Sequence, residues 1–432
     1  MKTVNVAILG FGTVGTGIYK VLTGSHHDIM HREGLDFSVA RVLIRDFEHE
    51  PNLELAPCEL FTTDYAQIVN DPQISIVCEC MGGIEPARTL ILACLASGKT
   101  VVTSNKEVVA KHWPEFEQEA KKTGTGFYIE ATAGGGVPIV RTILDSMQGN
   151  NIDLLFGIVN GTTNYILTKM TEQGDSYEKV LAEAQALGYA EADPTADVEG
   201  WDCVYKLAIL ASIAFHARVE IESIYREGIT KITAEDFAVA KEMGYVIKLL
   251  AIGKKIGGPS GDLQVRVHPT MIPQSHPLAG VRDVFNGVFL HGDAVDDIML
   301  YGRGAGQMPT ASAVVSDMVY AAKTEKHRYM TFNNAFGAPQ TLSLQEDWLS
   351  GFSIRMSVAD ESGVLSQLAQ VFADHNISIL SMKQRGIIDD KGDASIIFIT
   401  HTAKELAVRA AVEQLRNLPC VKSVDSVMRV EK

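Results

Sequence analysis

The sequence predicts an α/β chain of three domains, with a doubly wound parallel sheet over residues 1–150, an α+β domain over residues 151–340 and a ferredoxin-like βαββαβ domain over residues 350–432. Short apolar runs alternate with helical stretches in the first part, which is typical of a parallel sheet with crossover helices. The second part changes to longer helices with scattered β-type runs. The third part follows the order strand, helix, two strands, helix, strand. The length of 432 residues is that of two to three ordinary domains.

Five apolar runs predict the strands of the first domain. They lie at residues 4–9, 39–44, 74–79, 100–103 and 127–130. A helix opens at Val14, and amphipathic patterns predict two more helices at residues 86–97 and 114–122. Gly98 and Gly124 follow these two and are predicted to end them.

The second domain is predicted to combine two helices with a few strands. Asp175 or Ser176 caps the first helix and Gly188 ends it. The second helix runs from near Asp197 to Phe215. Strands are predicted at residues 154–159, 263–267 and 288–290, and a polar linker at residues 339–350.

The third domain repeats a small pattern of strands and helices. Polar residues 389–393 predict a turn between its two middle strands. Thr402 and Glu405 predict a capping box for a last helix that ends at Leu418. The remaining elements are strands at residues 352–358, 377–382, 394–400 and 424–430 and a helix at residues 364–375.

Composition excludes several classes of protein. The 38 basic and 53 acidic residues give a net charge of −15, which disfavours a nucleic-acid partner. The longest apolar run, residues 207–215, is about half a membrane span, and no secretion signal opens the chain, so no membrane association is expected. The six cysteines include no CxxC pair. We interpret them as reduced thiols of a cytoplasmic protein without structural zinc.

The strongest local motif is Gly10-Phe11-Gly12-Thr13-Val14-Gly15, which follows the first strand and opens a helix. Three glycines allow a tight turn and a close approach to a pyrophosphate, whose charge the helix N-terminus attracts. With the strand–helix alternation that follows, this predicts a Rossmann-type domain that binds NAD or NADP. The alternative is a glycine-rich turn without a ligand.

The end of the second strand bears on the choice of cofactor. It reads Leu43-Ile44-Arg45-Asp46. Arg45 favours the 2′-phosphate of NADP, whereas Asp46 leaves NAD open. Alternatively, Arg45 is a solvated surface charge.

Two further strand ends carry candidate site residues. Lys106 follows the strand at residues 100–103, at the edge where open α/β sheets bind ligands, although a lysine there is often only solvated. Glu130 precedes a glycine-rich loop whose carbonyl groups, with the carboxylate, could suit a hard cation. From composition alone, a loop that only needs positive φ angles is the better explanation. A second glycine-rich loop, residues 302–310, either contacts a ligand or marks a close crossing of two backbones.

Residues 188–206 concentrate the chemistry of the chain. Asp202 and Lys206 are four residues apart and share one helical face, with the acid N-terminal to the base. An apolar stretch from Leu207 follows, and a charged pair leading into a buried helix is costly unless it faces a site. The alternative is a surface ion pair that contributes a few tenths of a kcal/mol.

Taken together, these motifs resemble the homoserine dehydrogenase family in the form that carries a C-terminal ACT domain. The resemblance covers nearly the whole chain, with residues 191–206 its most specific part. The motifs that carry it, in family order, are residues 10–15, 104–107, 130–138, 160–164, 191–206 and 302–310.

The resemblance implies NAD(P)-dependent interconversion of L-homoserine and L-aspartate 4-semialdehyde, on the route to threonine, methionine and isoleucine. It implies Lys206 as acid/base, Asp202 and Lys106 beside it, and Glu191, Asp202 and Asp197 in the substrate site. Gly188 and Gly304 are expected to approach the cofactor. The implied ligands of a monovalent cation, usually sodium, are Glu130 and the backbones of Ala133, Gly135 and Val137.

The resemblance also implies regulation and assembly. ACT domains commonly sense an end-product amino acid, here threonine, at a loop that matches residues 360–363. A homodimer or homotetramer, joined through the second domain, is expected. Two other functions remain open. The first is a non-catalytic, dinucleotide-dependent amino-acid sensor, which would not need the run of carboxylates and lysine at residues 191–206. The second is a related amino-acid dehydrogenase, which activity against a panel of substrates would distinguish from a homoserine dehydrogenase.

Overall fold

The computed structural model describes residues 2–48, 50, 52–258, 261–327, 329, 343–385 and 393–431. The first domain is a six-stranded parallel sheet in the order β3-β2-β1-β4-β5-β6. Its strands are β1 (Lys2–Leu9), β2 (Leu35–Leu43), β3 (Phe61–Thr62), β4 (Ile74–Glu79), β5 (Thr100–Thr103) and β6 (Phe127–Tyr128). Its helices are α1 (Thr13–Gly24), α2 (His26–Glu33), α3 (Ala66–Val69), α4 (Ala87–Ala96), α5 (Lys106–Thr123) and α6 (Ile139–Arg141).

The strand order reverses at β1, which pairs with β2 on one side and β4 on the other. The crevice at such a reversal, beyond the carboxyl ends of the strands, is where open sheets bind ligands. The predicted doubly wound sheet is therefore confirmed, and so are both strands at residues 74–79 and 100–103.

The second domain adds strands and helices on a second sheet. Its strands are β7 (Ile152–Ile158), β8 (Tyr225–Arg226), β9 (Tyr245–Ile256), β10 (Asp262–Pro273), β11 (Phe285–Gly292) and β12 (Asp296–Arg303). Its helices are α7 (Gly161–Gln173), α8 (Tyr177–Ala186), α9 (Thr195–Val198), α10 (Trp201–Ala214), α11 (Ala234–Glu242) and α12 (Gln307–Lys323). Although α12 comes last, it packs back on α1, and its Ala311, Val314 and Met318 share a core with Ile8 and Ile18 of the first domain.

The third domain has the predicted βαββαβ order with one extra two-residue strand. Its elements are β13 (Leu349–Ala359), α13 (Val364–Asp374), β14 (Ile379–Arg385), β15 (Asp393–Thr400), β16 (Ala403–Lys404), α14 (Glu405–Arg416) and β17 (Val421–Val430). Strand β17 pairs with β10, so the second and third domains share one continuous sheet, in the order β12-β11-β7-β9-β10-β17-β13-β15-β14. Local sequence pattern does not predict this join.

Three local predictions were wrong. The helix predicted at residues 114–122 is the second half of α5, which begins at Lys106 and contains Pro114. Its first half is held by the Asn105 side-chain cap and by the buried side chains of Val108 and Trp113. The helix predicted from Asp197 to Phe215 is two helices, α9 and α10, separated by Gly200 at φ +83°. A left-handed residue cannot continue a right-handed helix.

The predicted capping box of the last helix is also absent. Lys404 is the N-cap of α14 and makes no side-chain cap bond. The Glu405 carboxylate instead accepts hydrogen bonds from Arg429 Nη2 at 2.6 Å and Arg409 Nε at 2.8 Å. Residues 339–342 of the predicted linker and 389–392 of the predicted turn lie outside the described residues.

Among the helices of the described ranges, none combines the length and the apolar character needed to cross a membrane.

Candidate active site

Three charged side chains meet where the parallel sheet adjoins the second domain. Lys106 is the first residue of α5, just beyond the carboxyl end of β5, whereas Asp202 and Lys206 lie one turn apart on α10. Helices α5 and α10 pack together, and Lys106 forms an ion pair with Asp202 across that contact. Asp202 and Lys206 are only 4% and 7% exposed, so they are not the surface ion pair of the alternative interpretation.

The hydrogen bonds around Asp202 keep it ionised. Its Oδ2 accepts from Lys206 Nζ at 2.8 Å and from Asn160 Nδ2 at 2.8 Å. Burial opposes the negative charge, but the ammonium groups of Lys206 and Lys106 and the Asn160 amide outweigh it and hold the pKa of Asp202 well below its usual range. The Asp202 charge in turn raises the pKa of Lys106.

Lys206 has a second fixed partner, since its Nζ donates to the carbonyl oxygen of Val159 at 2.7 Å. An ammonium group has three N–H donors. The carbonyl and Asp202 use two of them, and Lys206 lines the cavity described below. The third donor is therefore available to a ligand.

Asn160 belongs to the motif at residues 160–164, but sequence reasoning gave it no role in the site. Its Oδ1 caps α7 by accepting from Thr163 N at 2.8 Å, and its Nδ2 donates to Asp197 at 2.7 Å as well as to Asp202. It thereby holds two carboxylates together. Burial, followed by the charge of Asp202, raises the pKa of Asp197. The available signal was an asparagine between an apolar strand and a helix, which predicts an N-cap and nothing about catalysis.

The glycine loop after β1 has the tight packing that its sequence predicts. Gly15 lies so close to the loop backbone that a Cβ there would be 2.0 Å from the Gly10 carbonyl oxygen. Phe11 is buried against Phe61, and its carbonyl accepts from Asn52 Nδ2 at 3.0 Å. Gly12 is the N-cap of α1, so the helix N-terminus faces the crevice.

A cavity of about 230 Å³ connects this loop with the charged cluster. Thr13 and Val14 line it together with Lys106 and Lys206. The cavity thus places residues predicted to bind a cofactor beside residues predicted to bind and protonate a substrate.

The loop after Glu130 crosses the loop before α12 at very short range. A Cβ on Gly135, which has φ +56°, would lie 2.1 Å from the Gly304 carbonyl oxygen, and Gly136 N donates to Arg303 O at 2.9 Å. Gly135 and Gly304 also line the cavity. Both interpretations of residues 302–310, a backbone crossing and a wall of the binding site, therefore hold.

Glu130 is a buried carboxylate whose charge is incompletely compensated. It accepts from the backbone N–H groups of Val140 at 3.0 Å and Arg141 at 2.7 Å. Burial and the neighbouring Asp317 carboxylate nevertheless raise the pKa of Glu130 to about 7. Arg141 pairs with Asp317. Within the described ranges, no group of three or more histidine, cysteine or acidic side chains could hold a metal ion. A cation here would bind one carboxylate and backbone oxygens, which suits a hard ion.

Three predicted site residues lie apart from the cluster. Arg45 is exposed just after β2. Gly188, at φ +74°, borders open space. The Glu191 side chain is exposed and has no hydrogen-bond or ion-pair partner among the described residues. Their roles remain predictions.

Comparison with known proteins agrees with this geometry. The family described as "Homoserine dehydrogenase" matches residues 138–319, "Homoserine dehydrogenase, NAD binding domain" matches residues 10–130, and "ACT domain" matches residues 352–420. A homoserine dehydrogenase of Synechocystis sp. is 43% identical over 435 residues, which cover 99% of both chains. The chain belongs to the homoserine dehydrogenase family.

Other relatives extend the similarity to full-length sequences and solved structures. A homoserine dehydrogenase of Bacillus subtilis is 39% identical, with 100% of this chain and 99% of that protein covered. The crystal structure of a homoserine dehydrogenase from Thiobacillus denitrificans has a TM-score of 0.92 at 37% identity and covers 100% of this chain and 99% of that one. A hyperthermophilic archaeal homoserine dehydrogenase in complex with NADPH has a TM-score of 0.63 at 27% identity and covers 76% of this chain and 100% of that one.

Membership of the homoserine dehydrogenase family makes this chain an NAD(P)-dependent oxidoreductase that acts on a CH–OH group. It also confirms the family resemblance and the fold class predicted from sequence. The third domain is an ACT domain. Its residues 360–363 form an exposed loop that leads into α13.

Proposed function

We propose that this chain catalyses the reversible NAD(P)-dependent interconversion of L-homoserine and L-aspartate 4-semialdehyde through Lys206. The observation that carries the proposal is the buried Lys206–Asp202 pair, at 2.8 Å, on a cavity shared with the glycine loop. The sensor alternative needs no buried acid–base pair beside a cofactor loop, and no observation favours it.

Lys206 is proposed to move the proton. When bound, the nicotinamide donates or accepts a hydride at its C4 atom. In the reductive direction the carbonyl oxygen of the substrate gains negative charge, and the ammonium of Lys206 stabilises it and donates a proton. In the oxidative direction the neutral amine accepts the hydroxyl proton. Asp202 and the Val159 carbonyl fix the amine in place, so that its remaining N–H or lone pair faces the cavity.

The carboxylates are proposed to recognise the substrate's own ammonium group. Asp197 is half-buried beside Asp202, and Asn160 fixes it. Glu191 belongs to the same proposal as an exposed carboxylate on the segment that precedes α9. Lys106 is proposed to lie beside cofactor and substrate while neutralising Asp202.

We further propose that Glu130, with the backbone oxygens of Ala133, Gly135 and Val137, holds a monovalent cation, most simply sodium. A bound cation would favour the ionised form of a carboxylate whose pKa is raised to about 7. The proposed ligands lie on the loop that crosses Gly304, so the ion would stiffen one wall of the cavity.

Regulation, location and assembly complete the proposal. Threonine is the proposed effector of the ACT domain at residues 360–363, because the reaction lies on the route to threonine, methionine and isoleucine. A cytoplasmic location is supported by six free cysteines. A homodimer or homotetramer joined through the second domain is proposed from the family resemblance. The choice between NADP and NAD depends on whether Arg45 contacts a 2′-phosphate.

A single assay tests the central proposal. Purified protein is mixed with L-homoserine and either NAD or NADP, and absorbance at the reduced-nicotinamide band is followed. The assay is repeated with and without threonine to test the effector, and with either sodium or choline as counter-ion to test the cation. Turnover with homoserine, and none with a panel of other hydroxy- and amino acids, is expected. No turnover with either cofactor, or a clear preference for another substrate in the panel, would contradict the proposal.

A further inference from the structure

A short segment of the second domain, residues 225–230, connects the ACT domain to the turn that carries Asp197 and Asp202, the acidic side chains of the charged cluster. We name it the bridging segment. It contains β8, which pairs with β10, and Glu227 N extends this pairing by donating to Val267 O at 2.8 Å. Strand β10 also pairs with β17 of the ACT domain. The bridging segment and the last ACT strand are therefore held by the same strand.

On the ACT side, the bridging segment is gripped by Arg429 of β17. Arg429 forms an ion pair with Glu227, and its Nη2 donates to the Tyr225 hydroxyl at 3.1 Å. Glu405 of α14 orients the same guanidinium at 2.6 Å. The Arg429 side chain is 7% exposed and the Glu227 side chain 36%, so the guanidinium is buried while the carboxylate is partly open to solvent. Loss of the Glu227 charge would leave the buried guanidinium with Glu405 as its remaining carboxylate partner among the described residues.

On the catalytic side, the bridging segment holds the end of α9. Arg226 donates to the carbonyl oxygen of Glu199, and Ile229 N donates to Val198 O at 2.9 Å. Gly228 crosses this backbone so closely that a Cβ would lie 2.5 Å from Val198 O. The contact is backbone against backbone, so a shift of the bridging segment must shift residues 198–199 as well.

Residues 197–202, which we name the acid turn, carry the carboxylates of the site. Asp197 lies at one end of this turn and Asp202 at the other, with the left-handed Gly200 between them. Asp202 is fixed independently by Lys206, Lys106 and Asn160, whereas within the described ranges the Asp197 carboxylate has one hydrogen-bond partner, Asn160. A displacement of the acid turn would therefore move Asp197 more than Asp202.

We infer that Arg429 and Glu227 are positioning residues for substrate binding, acting through the bridging segment on Asp197. The inference rests on the proposed function, in which Asp197 recognises the ammonium group of homoserine. It makes the ACT domain part of the structure that holds the substrate site, and it gives a path by which a change in β17 reaches that site.

The test compares the full-length wild-type chain with Glu227→Gln and with Lys254→Met as the matched control. Lys254 also joins the second domain to the ACT domain, through Glu431 at 2.5 Å, but from β9 and outside the bridging segment. For Glu227→Gln we expect the KM for homoserine to rise about fivefold, an effect of the size that coupling through packed elements produces. The KM for the cofactor and kcat should each change by less than about twofold. For Lys254→Met we expect no selective change in the homoserine KM.

A second readout needs no substrate. Hydrogen–deuterium exchange of peptides covering residues 195–206 should be faster in Glu227→Gln than in wild type and unchanged in Lys254→Met. Should Glu227→Gln fail to fold, Arg429→Lys is the substitute, because it keeps the positive charge but loses the planar guanidinium that bonds several partners at once. It should likewise raise the KM for homoserine and speed the exchange of residues 195–206. Equal effects in the variant and the control, or no effect on either readout, would overturn the inference. Absence of homoserine turnover in wild type would contradict the proposed function, while the exchange rates would still decide the coupling.

Discussion

Replacing Lys206 with alanine is the perturbation that separates chemistry from stability most sharply. The change removes the amine that faces the cavity, together with its bonds to Val159 O at 2.7 Å and Asp202 at 2.8 Å. A positioned general acid or base contributes about 10²–10⁴ in rate, so kcat should fall by that factor, which corresponds to about 3–5 kcal/mol of activation free energy.

The structure limits the accompanying loss of stability. Orphaning a buried charge costs about 3–5 kcal/mol, but Asp202 would keep its ion pair with Lys106 and its hydrogen bond from Asn160. We therefore expect the free energy of unfolding to fall by about 1–2 kcal/mol, as for one lost hydrogen-bonded contact. The folded protein should still bind the dinucleotide, because the glycine loop belongs to another domain.

The assay measures kcat from nicotinamide absorbance at saturating homoserine, cofactor binding by fluorescence titration, and unfolding by urea. The matched control is Lys179→Ala, since Lys179 also pairs with an aspartate four residues before it, Asp175 at 2.6 Å, but at the N-terminus of α8 with the lysine 66% exposed. Its kcat should equal that of wild type. A Lys206→Ala protein that turns over within tenfold of wild type would refute the proposed role of this amine.

Three further predictions concern the cation, the backbone crossing and a buried lysine. The pKa of Glu130 is raised to about 7, so sodium should bind more weakly as the pH falls below 7 and the carboxylate is protonated. Titrations of enzyme activity with sodium at pH 6 and at pH 8, at constant ionic strength, check this. Equal sodium dependence at the two pH values would count against Glu130 as the ligand. Gly135→Ala should lower the free energy of unfolding by about 1–3 kcal/mol, because the new Cβ would lie 2.1 Å from the carbonyl oxygen of Gly304. The control is Gly149→Ala, whose Cβ would meet nothing within 4 Å and which should leave the free energy of unfolding in urea nearly unchanged. Burial lowers the pKa of Lys248 to about 8, whereas in the unfolded chain the lysine keeps its proton up to about pH 10.4. The free energy of unfolding of the wild type, relative to that of Lys248→Met, should therefore rise by up to about 3 kcal/mol between these two pH values. Identical pH dependence of urea unfolding in both proteins would contradict this prediction.

Sequence pattern was sufficient where a residue's conformation depends on its neighbours along the chain. The glycine motif at residues 10–15, with an apolar strand before it and a helix after it, predicted the parallel sheet and its cofactor loop. The spacing of Asp202 and Lys206 predicted one helical face, which α10 confirms. Where the backbone leaves its local pattern, as at Gly200 or at the start of α5, the prediction was wrong.

The roles that sequence reasoning missed belong to residues whose partners are distant in the chain. Asn160 looks like an ordinary helix cap until the fold brings Asp197 and Asp202 to its amide. Glu405 has the local pattern of a capping box, yet its carboxylate binds Arg429, which is 24 residues away. A short-range rule cannot weigh a local hydrogen bond against a stronger ion pair supplied from elsewhere.

The amino-acid sequence alone predicted the parallel sheet, its glycine loop and the shared helical face of Asp202 and Lys206, because each depends on short-range periodicity or spacing. Only the tertiary structure decided that Lys106 from the first domain joins Asp202, that the ACT strand β17 extends the sheet of the second domain, and that residues 225–230 lie against the acid turn. These contacts depend on how separate elements pack, because charged and backbone groups distant in the chain can pair, and so offset the cost of their burial, only once the fold brings them together.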